Sequence, residues 1–379
     1  MIEQIRTQVR QAYSSAIGRH RRELVTPALI LDLEVARKNI ATMATRLAGL
    51  KTGLRPHTKV QKSPELARLQ IQAGAVGVCC GTVWEAIVMR RSGITDVLMA
   101  NITGGREKIE AVAREARTGG LMITLDDARN ATEFADALCA AGSTIDVLID
   151  VDVGMGRGGV RSVPDAVALA RHISALPQLR LRGLQGYEGH CMLEPDRAER
   201  IAKAGTAISH LEDAVAAVEK AGFPCEIVSS GGTGTYHITG ARPRVTEIQA
   251  GSYVFMDQMH GELVPGFAPA LTVLGTVVIE HGRTIVFDCG RKSIGIDFAP
   301  PTMLAYPPYQ ARYFAEEHAL FDVGEGCPLR RGDTAEFIPG YAPTTVNLYD
   351  AYHVVSNDRV VDIWPIIPRG PGHHGLLNT

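Results

Sequence analysis

Short apolar runs alternate with stretches of helical periodicity from residue 26 to about residue 255, and this alternation limits the possible folds more than any other feature. The first run is residues 29–33, and a last one fits at residues 248–255. The runs between them are residues 76–80, 97–100, 121–125, 147–151, 181–185 and 226–229. Strands that alternate with helices in this way predict a parallel sheet with crossover helices. Eight such units close a (β/α)8, TIM-like barrel.

After about residue 265 the pattern changes to β-type runs that are separated by turn residues. These runs are residues 271–280, 284–288, 335–338 and 360–364. No convincing helical pattern separates them, which is typical of an antiparallel β domain. An amphipathic helical pattern precedes the first run of the chain. We therefore predict a barrel over residues 26–264 and a C-terminal β domain, made of residues 265–379 together with residues 1–25.

Charge and cysteine usage exclude several classes of protein. The 379 residues contain 39 Lys and Arg against 41 Asp and Glu, a formal net charge of -2, so a nucleic-acid partner is not expected. No apolar run approaches membrane-spanning length, and residues 1–6 lack the apolar core of a secretory signal. We therefore expect a cytoplasmic protein with no membrane partner. The seven cysteines show no CxxC pairing, which predicts reduced thiols.

A basic segment, Arg-Pro-His-Thr-Lys-Val-Gln-Lys at residues 55–62, lies where a strand end is expected to lead into a helix. Ligands bind at this edge of parallel α/β folds, because loops and helix N-termini converge there. Lys59 can act there as an amine that reacts with a carbonyl group, if the neighbouring cations Arg55, His57 and Lys62 lower its pKa. The alternative is a solvated basic surface loop.

A glycine-rich segment, Ser-Ser-Gly-Gly-Thr-Gly-Thr-Tyr at residues 229–236, directly follows a predicted strand. Its glycines let backbone N–H groups approach an anion closely, and its hydroxyl groups add donors. Gly251, Ser252 and Tyr253 offer further donors at the end of the next run. Together these residues predict one bound phosphate group. The alternative is a flexible surface loop.

Two further strand-end loops bring polar groups to the same edge of the sheet. Residues 152–160 carry Arg157 amid four glycines, which leave space for the guanidinium to reach inward. Residues 185–190 carry Tyr187 and His190. Taken alone, each loop is explained as well by an ordinary turn or by ordinary rim side chains.

One cofactor needs a carbonyl-reactive lysine, a phosphate site and a partner for its ring nitrogen on one face of a barrel, and that cofactor is pyridoxal phosphate. The sequence also resembles the D-threonine aldolase and D-serine dehydratase family, which belongs to the alanine-racemase-like, fold type III pyridoxal phosphate enzymes. Six segments carry this resemblance in the right order: residues 26–29, 55–59, 154–160, 230–236, 251–257 and 345–350.

The resemblance implies a pyridoxal phosphate barrel with a β domain, in a homodimer, in which Lys59 holds the cofactor covalently and Arg157 lies by its ring. The candidate cofactor-binding residues are Lys59, His57, Arg157, Tyr187, Gly232, Thr233, Gly234, Gly251, Ser252 and Tyr253. The candidate catalytic residues are Lys59, His190 and Tyr341.

One segment departs from the family pattern. Metal-dependent members hold a divalent cation through a histidine and an acidic or thiol residue of a Pro-x-His-x-[Asp or Cys]-x-Thr segment. The corresponding segment here is residues 339–347, where Tyr341 and Pro343 occupy the two ligand positions. Proline has no donor and a single tyrosine would bind weakly, so no metal site is predicted. A relocated site at His373 and His374 is not expected either.

These features lead to a hypothesis and its alternatives. The leading hypothesis is a pyridoxal phosphate-dependent lyase that cleaves or dehydrates a β-hydroxy D-amino acid, with a side-chain base such as His190 or Tyr341 in place of the metal. The first alternative is a metal-free racemase or transaminase, in which Lys59 moves the Cα proton. A carrier barrel for the cofactor and a phosphosugar barrel without it are also possible, but neither accounts for the β domain.

Overall fold

The computed structural model describes residues 1–261, 263–371 and 375. The chain begins with helix α1 (Ile2–Tyr13), two 3-10 turns (Ser14–Ala16 and Arg21–Glu23), strand β1 (Ala28–Asp32) and helix α2 (Leu33–Leu50). Eight short strands follow: β2 (Gly53–Leu54), β3 (Val78–Cys80), β4 (Val97–Met99), β5 (Leu121–Leu125), β6 (Ile145–Val151), β7 (Leu179–Gly186), β8 (Ile227–Ser230) and β9 (Glu247–Ile248). The helices among them are α3 (Pro64–Gln72), α4 (Val83–Arg91), α5 (Arg106–Glu115), α6 (Ala128–Ala141), α7 (Val163–Ser174), α8 (Arg197–Lys220) and α9 (Tyr236–Thr239).

The remaining described elements are mostly strands. They are α10 (Gln258–Gly261), β10 (Leu271–His281), β11 (Thr284–Phe287), β12 (Thr302–Met303), β13 (Gln310–Phe314), β14 (Ala319–Asp322), β15 (Thr334–Ile338), α11 (Ala342–Val346), β16 (Ala351–Ser356) and β17 (Arg359–Pro365). The chain divides into two compact units. The first unit comprises residues 1–42, 60–65 and 252–371, and the second is built from residues 43–59 and 66–251.

The second unit contains a parallel sheet of eight strands, counted over the described residues, in the order β2-β9-β8-β7-β6-β5-β4-β3. Backbone hydrogen bonds also join the two ends of this path. The Val76 N–H donates to the Leu54 carbonyl at 2.8 Å, the Cys79 N–H to the Pro56 carbonyl at 3.0 Å, and the Thr58 N–H to the Cys79 carbonyl at 2.7 Å. The sheet therefore closes on itself, and the predicted barrel fold is confirmed.

Local sequence signals fix where the barrel helices begin. Thr82, Asp127, Ser162 and Asp196 precede helices α4, α6, α7 and α8, and each accepts a hydrogen bond from a backbone N–H of the first turn. Side-chain caps of this kind stabilise a helix by about 1 kcal/mol each. These caps therefore determine where the loop after a strand ends and the next helix begins.

Strand β1 corrects one expectation. Residues 29–33 were expected to form the first barrel strand, but β1 pairs antiparallel with β10 and parallel with β16. It is a central strand of the sheet in the first unit, so it is apolar on both faces for the same reason as a barrel strand. The first barrel strand is β2, which the sequence pattern did not reveal. The eighth strand is also shorter than expected, because a 3-10 turn (Ser252–Val254) occupies much of residues 248–255.

The first unit has a sheet of nine strands in its described part, formed by β1 and β10 to β17. Most neighbouring strands are antiparallel, as predicted for the C-terminal runs. Tyr13 of α1 packs against a core that includes Ile30 and Ile363. The domain boundaries given above, 26–264 and 1–25 plus 265–379, stay a prediction. Among the described residues, no helix has the length and apolar character that crossing a membrane requires.

Candidate active site

Lys59 lies in the loop after β2, at the carboxyl end of the barrel strands. The residue before it is fixed, because the Thr58 N–H and hydroxyl both donate to the Cys79 carbonyl, at 2.7 and 3.0 Å. The Lys59 Nζ lies 5.5 Å from the ring centroid of Tyr187. No described residue accepts a hydrogen bond from this ammonium group or forms an ion pair with it. The chain therefore holds a half-buried amine without a carboxylate partner.

The protonation of Lys59 follows from this placement. Burial lowers the pKa of the Lys59 ammonium below its ordinary value, and the guanidinium of Arg157 acts in the same direction, against the Cys79 thiol and the Glu85 carboxylate, which raise it. The expected cations Arg55, His57 and Lys62 are not among these causes. Arg55 instead forms ion pairs with carboxylates, and Lys62 donates to a backbone carbonyl at 2.9 Å. A lowered pKa increases the fraction of neutral, nucleophilic amine.

The loop that carries Arg157 is held in place by one carboxylate. Asp152 accepts the backbone N–H groups of Gly154 and Gly156, at 3.1 and 2.9 Å. Although burial opposes its charge, these two N–H groups lower the pKa of Asp152 below its ordinary value. The Arg157 Cζ then lies 5.7 Å from the ring centroid of Tyr187. The Tyr187 ring therefore lies close to two cations, Lys59 and Arg157, which belong to separate loops.

His190 belongs to the same barrel end. It lies in the 3-10 turn Gly189–Cys191, and its side chain is exposed. A Cβ atom built on Gly154 would lie 3.3 Å from two ring atoms of His190, so the imidazole packs directly against the glycine loop. The structure thus brings Lys59, Tyr187, Arg157 and His190 to one end of the second unit.

In the second unit, two backbone N–H groups of the predicted phosphate site have no hydrogen-bond partner among the described residues. They belong to Gly234, after β8, and to Gly251, after the adjacent strand β9, and both residues are buried. A buried N–H group without an acceptor is costly, so such groups are normally satisfied by water or a ligand. These donors fit an anion such as a phosphate group. Ser252 and Tyr253 follow in the chain but belong to the first unit.

A buried polar chain inside the barrel was not foreseen from the sequence. The Gln185 side chain donates to Asp150 at 2.9 Å, and the Gln249 side chain donates to Gln185 at 2.9 Å and to Ser229 at 2.8 Å. Burial raises the pKa of Asp150 to about 6, although the hydrogen bond from Gln185 acts against this. The sequence contained one signal for this chain of side chains: each of four apolar runs includes a polar residue. A core that serves only packing would not need these polar residues.

Tyr341 lies in the first unit, immediately before α11. Asp257 accepts the Ala342 N–H at 2.8 Å with one carboxylate oxygen and contacts the His260 Nδ1 at 2.7 Å with the other. Burial raises the pKa of Tyr341 to about 12, and the charges of Asp257 and Asp297 add to this effect. The phenol therefore stays protonated at neutral pH, which suits a proton donor better than the base that we expected. The sequence reasoning did not single out the buried Asp257–His260 pair, whose i, i+3 spacing was its only signal.

The two candidate metal positions lie at the N-terminal end of α11. Tyr341 and Pro343 occupy the two ligand positions, and no group of three or more His, Cys, Asp or Glu side chains that could hold a metal ion is found among the described residues. His373 and His374 lie outside the described residues.

Two family models match successive parts of the chain. The alanine racemase N-terminal domain matches residues 31–259, and a putative serine dehydratase domain matches residues 270–355. The first model covers four of the six segments named above, residues 55–59, 154–160, 230–236 and 251–257, which contain Lys59, Arg157 and the glycine-rich segment. The second covers most of the strands of the C-terminal sheet and includes Tyr341.

Curated relatives and solved structures agree with these matches. A 3-hydroxy-D-aspartate aldolase of Paracoccus denitrificans is 32% identical over 94% of this chain and 95% of the relative. A D-threonine aldolase of an Arthrobacter species is 33% identical over 91% of this chain and 93% of the relative. The crystal structure of D-threonine aldolase from Filomicrobium marinum is similar with a TM-score of 0.90, at 34% identity over 93% of this chain and 98% of that one.

Proposed function

The chain belongs to the alanine-racemase-like, fold type III family that includes the D-threonine aldolases and D-serine dehydratases, and on this premise we propose that it is a pyridoxal phosphate-dependent lyase acting on a β-hydroxy D-amino acid. Members of this family are pyridoxal phosphate enzymes. The finer proposal is that this chain works without the usual divalent metal, because Tyr341 and Pro343 stand where ligands are expected.

One observation supports the cofactor assignment more than any other. Lys59 has a lowered pKa and no carboxylate partner among the described residues, and the unpaired N–H groups of Gly234 and Gly251 lie at the same end of the barrel. A reactive amine and a phosphate-binding backbone are the two groups that hold pyridoxal phosphate. A phosphosugar barrel would need only the second group.

The roles of the side chains follow from their chemistry. When bound, pyridoxal phosphate joins the substrate amine and stabilises negative charge at Cα. Lys59, whose lowered pKa favours the neutral amine, would accept and return a proton beside the substrate amine. Tyr187 and Arg157 restrict the space beside the Lys59 amine, and Arg157 adds a fixed positive charge.

Cleavage of the Cα–Cβ bond requires a base for the β-hydroxyl group, whereas dehydration requires an acid that protonates the leaving oxygen. We assign the base to His190, whose imidazole can accept a proton. We assign the acid to Tyr341, since its raised pKa keeps the phenol protonated. In this assignment proton transfer by a side chain takes the place of polarisation of the β-hydroxyl group by a metal ion.

The alternative function is a metal-free racemase or transaminase. The lowered pKa of Lys59 favours it, because a neutral lysine can move the Cα proton without help from another base. Reaction products separate the candidates. Retro-aldol cleavage gives glycine and an aldehyde, dehydration gives an oxo acid and ammonia, and racemisation gives only the other enantiomer.

The first test is the visible absorption spectrum of the purified protein before and after borohydride, repeated with Lys59→Ala. We expect an absorption band that borohydride removes and that the variant lacks, together with a reduced cofactor attached to the peptide that contains Lys59. Lys62→Ala is the matched control, because Lys62 lies in the same segment but donates to the Pro368 carbonyl. A colourless protein that pyridoxal phosphate does not convert would refute the cofactor assignment.

The second test is a product screen with D- and L-isomers of β-hydroxy amino acids. Each substrate is offered to the protein after treatment with a chelator, with and without added manganese. Metal-independent formation of glycine or an oxo acid from a D-isomer is expected. Activity that appears only with manganese would refute the metal-free proposal and leave the lyase assignment intact. We also propose a cytoplasmic homodimer, which sedimentation and cell fractionation test directly.

A further inference from the structure

Glu188 is a fully buried carboxylate in the loop after β7, and four donors converge on it. Its Oε2 atom lies 3.0 Å from the Ser230 hydroxyl and 3.1 Å from the Gly231 N–H. Its Oε1 atom accepts the Thr235 hydroxyl at 2.7 Å and also the hydroxyl of Thr239. Ser230 is the last residue of β8, Gly231 and Thr235 lie in the loop after it, and Thr239 ends helix α9. The carboxylate therefore ties one strand-end loop to the glycine-rich segment of the next.

The hydrogen bonds of this segment leave few donors for a ligand. A carboxylate is only an acceptor, so the Gly231 N–H and the hydroxyls of Thr235 and Thr239 are directed at Glu188 and away from any other anion. The Ser230 hydroxyl has the Gly186 carbonyl as a second acceptor. The Thr235 hydroxyl also receives the Gly232 N–H at 3.3 Å, so that N–H group is used as well. The N–H groups of Gly234 and Gly251 remain without a described acceptor.

We propose that Glu188 is a positioning residue for the phosphate group of the cofactor. Glu188 accepts the hydroxyl groups of Thr235 and Thr239, so these hydroxyls point to the carboxylate. The anion is then bound by main-chain N–H groups and not by the two hydroxyls. A hydrogen bond to a charged group contributes more than one between neutral groups, which makes a buried carboxylate a stronger anchor than an amide. This inference rests on the proposed function, because it assumes that the anion is the cofactor's phosphate.

Glu188→Gln tests the proposal with almost no change in volume. Glutamine keeps one acceptor oxygen but places an N–H2 group where the carboxylate accepts, so at least one donor of the segment faces another donor. Glu247→Gln is the matched control: Glu247 is also a buried carboxylate of the barrel, but it pairs with Arg55 at 2.7 Å and does not contact the glycine-rich segment.

The measurement compares two ligands, pyridoxal phosphate and pyridoxal, which differ only in the phosphate group. Their dissociation constants are determined for the wild-type protein, Glu188→Gln and Glu247→Gln. We expect Glu188→Gln to weaken the binding of pyridoxal phosphate by about tenfold or more and that of pyridoxal by less than about twofold. In Glu247→Gln the ratio of the two constants should stay at the wild-type value.

A second variant guards against misfolding of Glu188→Gln. Thr239→Val removes one donor to Glu188 without altering a glycine, and Thr124→Val is its control, since the buried Thr124 hydroxyl donates to the Met99 carbonyl at 3.1 Å. We expect a smaller, phosphate-specific loss of affinity in Thr239→Val alone. Equal losses for both ligands, or an unchanged affinity for pyridoxal phosphate, would overturn the proposal. A wild-type protein that binds neither ligand would instead refute the proposed function, and this inference with it.

Discussion

Arg55 provides a sharp test of how burial controls the energy of an ion pair. Its guanidinium is 3% exposed and contacts two carboxylates, Glu247 and Asp96. The side chain of Glu247 is 5% exposed, whereas that of Asp96 is 49% exposed. We predict that neutralising the buried partner destabilises the barrel several times more than neutralising the exposed one, although both contact the same cation.

The expected magnitudes follow from this difference in exposure. Burial works against the charge on Arg55, but Glu247 and then Asp96 raise its pKa above the ordinary value, so the group stays charged. Removing one partner of a buried pair typically costs about 3–5 kcal/mol, because the other charge stays buried without compensation. An exposed pair contributes about 0.2–1 kcal/mol. We therefore expect about 3 kcal/mol for Glu247→Gln and less than about 1 kcal/mol for Asp96→Asn.

The assay is urea unfolding followed by circular dichroism, with the double variant Arg55→Met/Glu247→Gln included. In the double variant no buried charge is left unpaired, so its loss of stability should be smaller than the sum of the two single losses. Similar losses for Glu247→Gln and Asp96→Asn would contradict the reasoning, because they would show that burial does not decide the energy here. Additive losses in the double variant would contradict it as well.

Three further predictions concern the site. Gly234→Ala should lower cofactor retention and destabilise the protein by about 1–3 kcal/mol in thermal melts, because the new Cβ would lie 2.5 Å from the Met192 carbonyl oxygen. Gly205→Ala in α8 should stabilise the protein by about 1 kcal/mol in the same assay, because the new Cβ would meet nothing within 4 Å beyond the backbone of its own helix. Tyr341→Phe should reduce the lyase rate on the order of a hundredfold, and since its pKa is raised to about 12, the wild-type rate should show no loss from this group near neutral pH. The Lys59 pKa is lowered in the folded state, so the cofactor-free protein should gain stability as pH rises from that lowered value towards the ordinary 10.5. Lys59→Met should remove this dependence when the free energy of unfolding is measured across pH. An unchanged dependence in the variant would mean that the amine is hydrated.

The candidate site was predictable where its residues lie next to one another in the chain. The segment around Lys59 predicted a reactive amine and the glycine-rich segment predicted a phosphate site, since a strand end followed by basic or small residues is a local pattern. The cause of the lowered Lys59 pKa was not predictable. Its largest cause is burial, which the segment by itself does not reveal. The neighbouring cation Arg55 is paired with Glu247, a residue distant in sequence, and the cation that acts on Lys59 is Arg157, which is also distant. Glu188 was equally hidden, because only folding brings the hydroxyls of the glycine-rich segment to it.

The sequence by itself determined the alternation of strands and helices after β2, the barrel with its second sheet, and the residue types at the strand ends, because periodicity and turn residues are local properties of the chain. Tertiary structure decided which sheet receives each apolar run. Strand β1 is as apolar as a barrel strand but pairs with β10 and β16, since an apolar run records only that it is buried and not which strands surround it. It likewise decided the direction in which the pKa values of Lys59, Asp150 and Tyr341 shift, because desolvation and through-space charge depend on neighbours that the chain order does not specify.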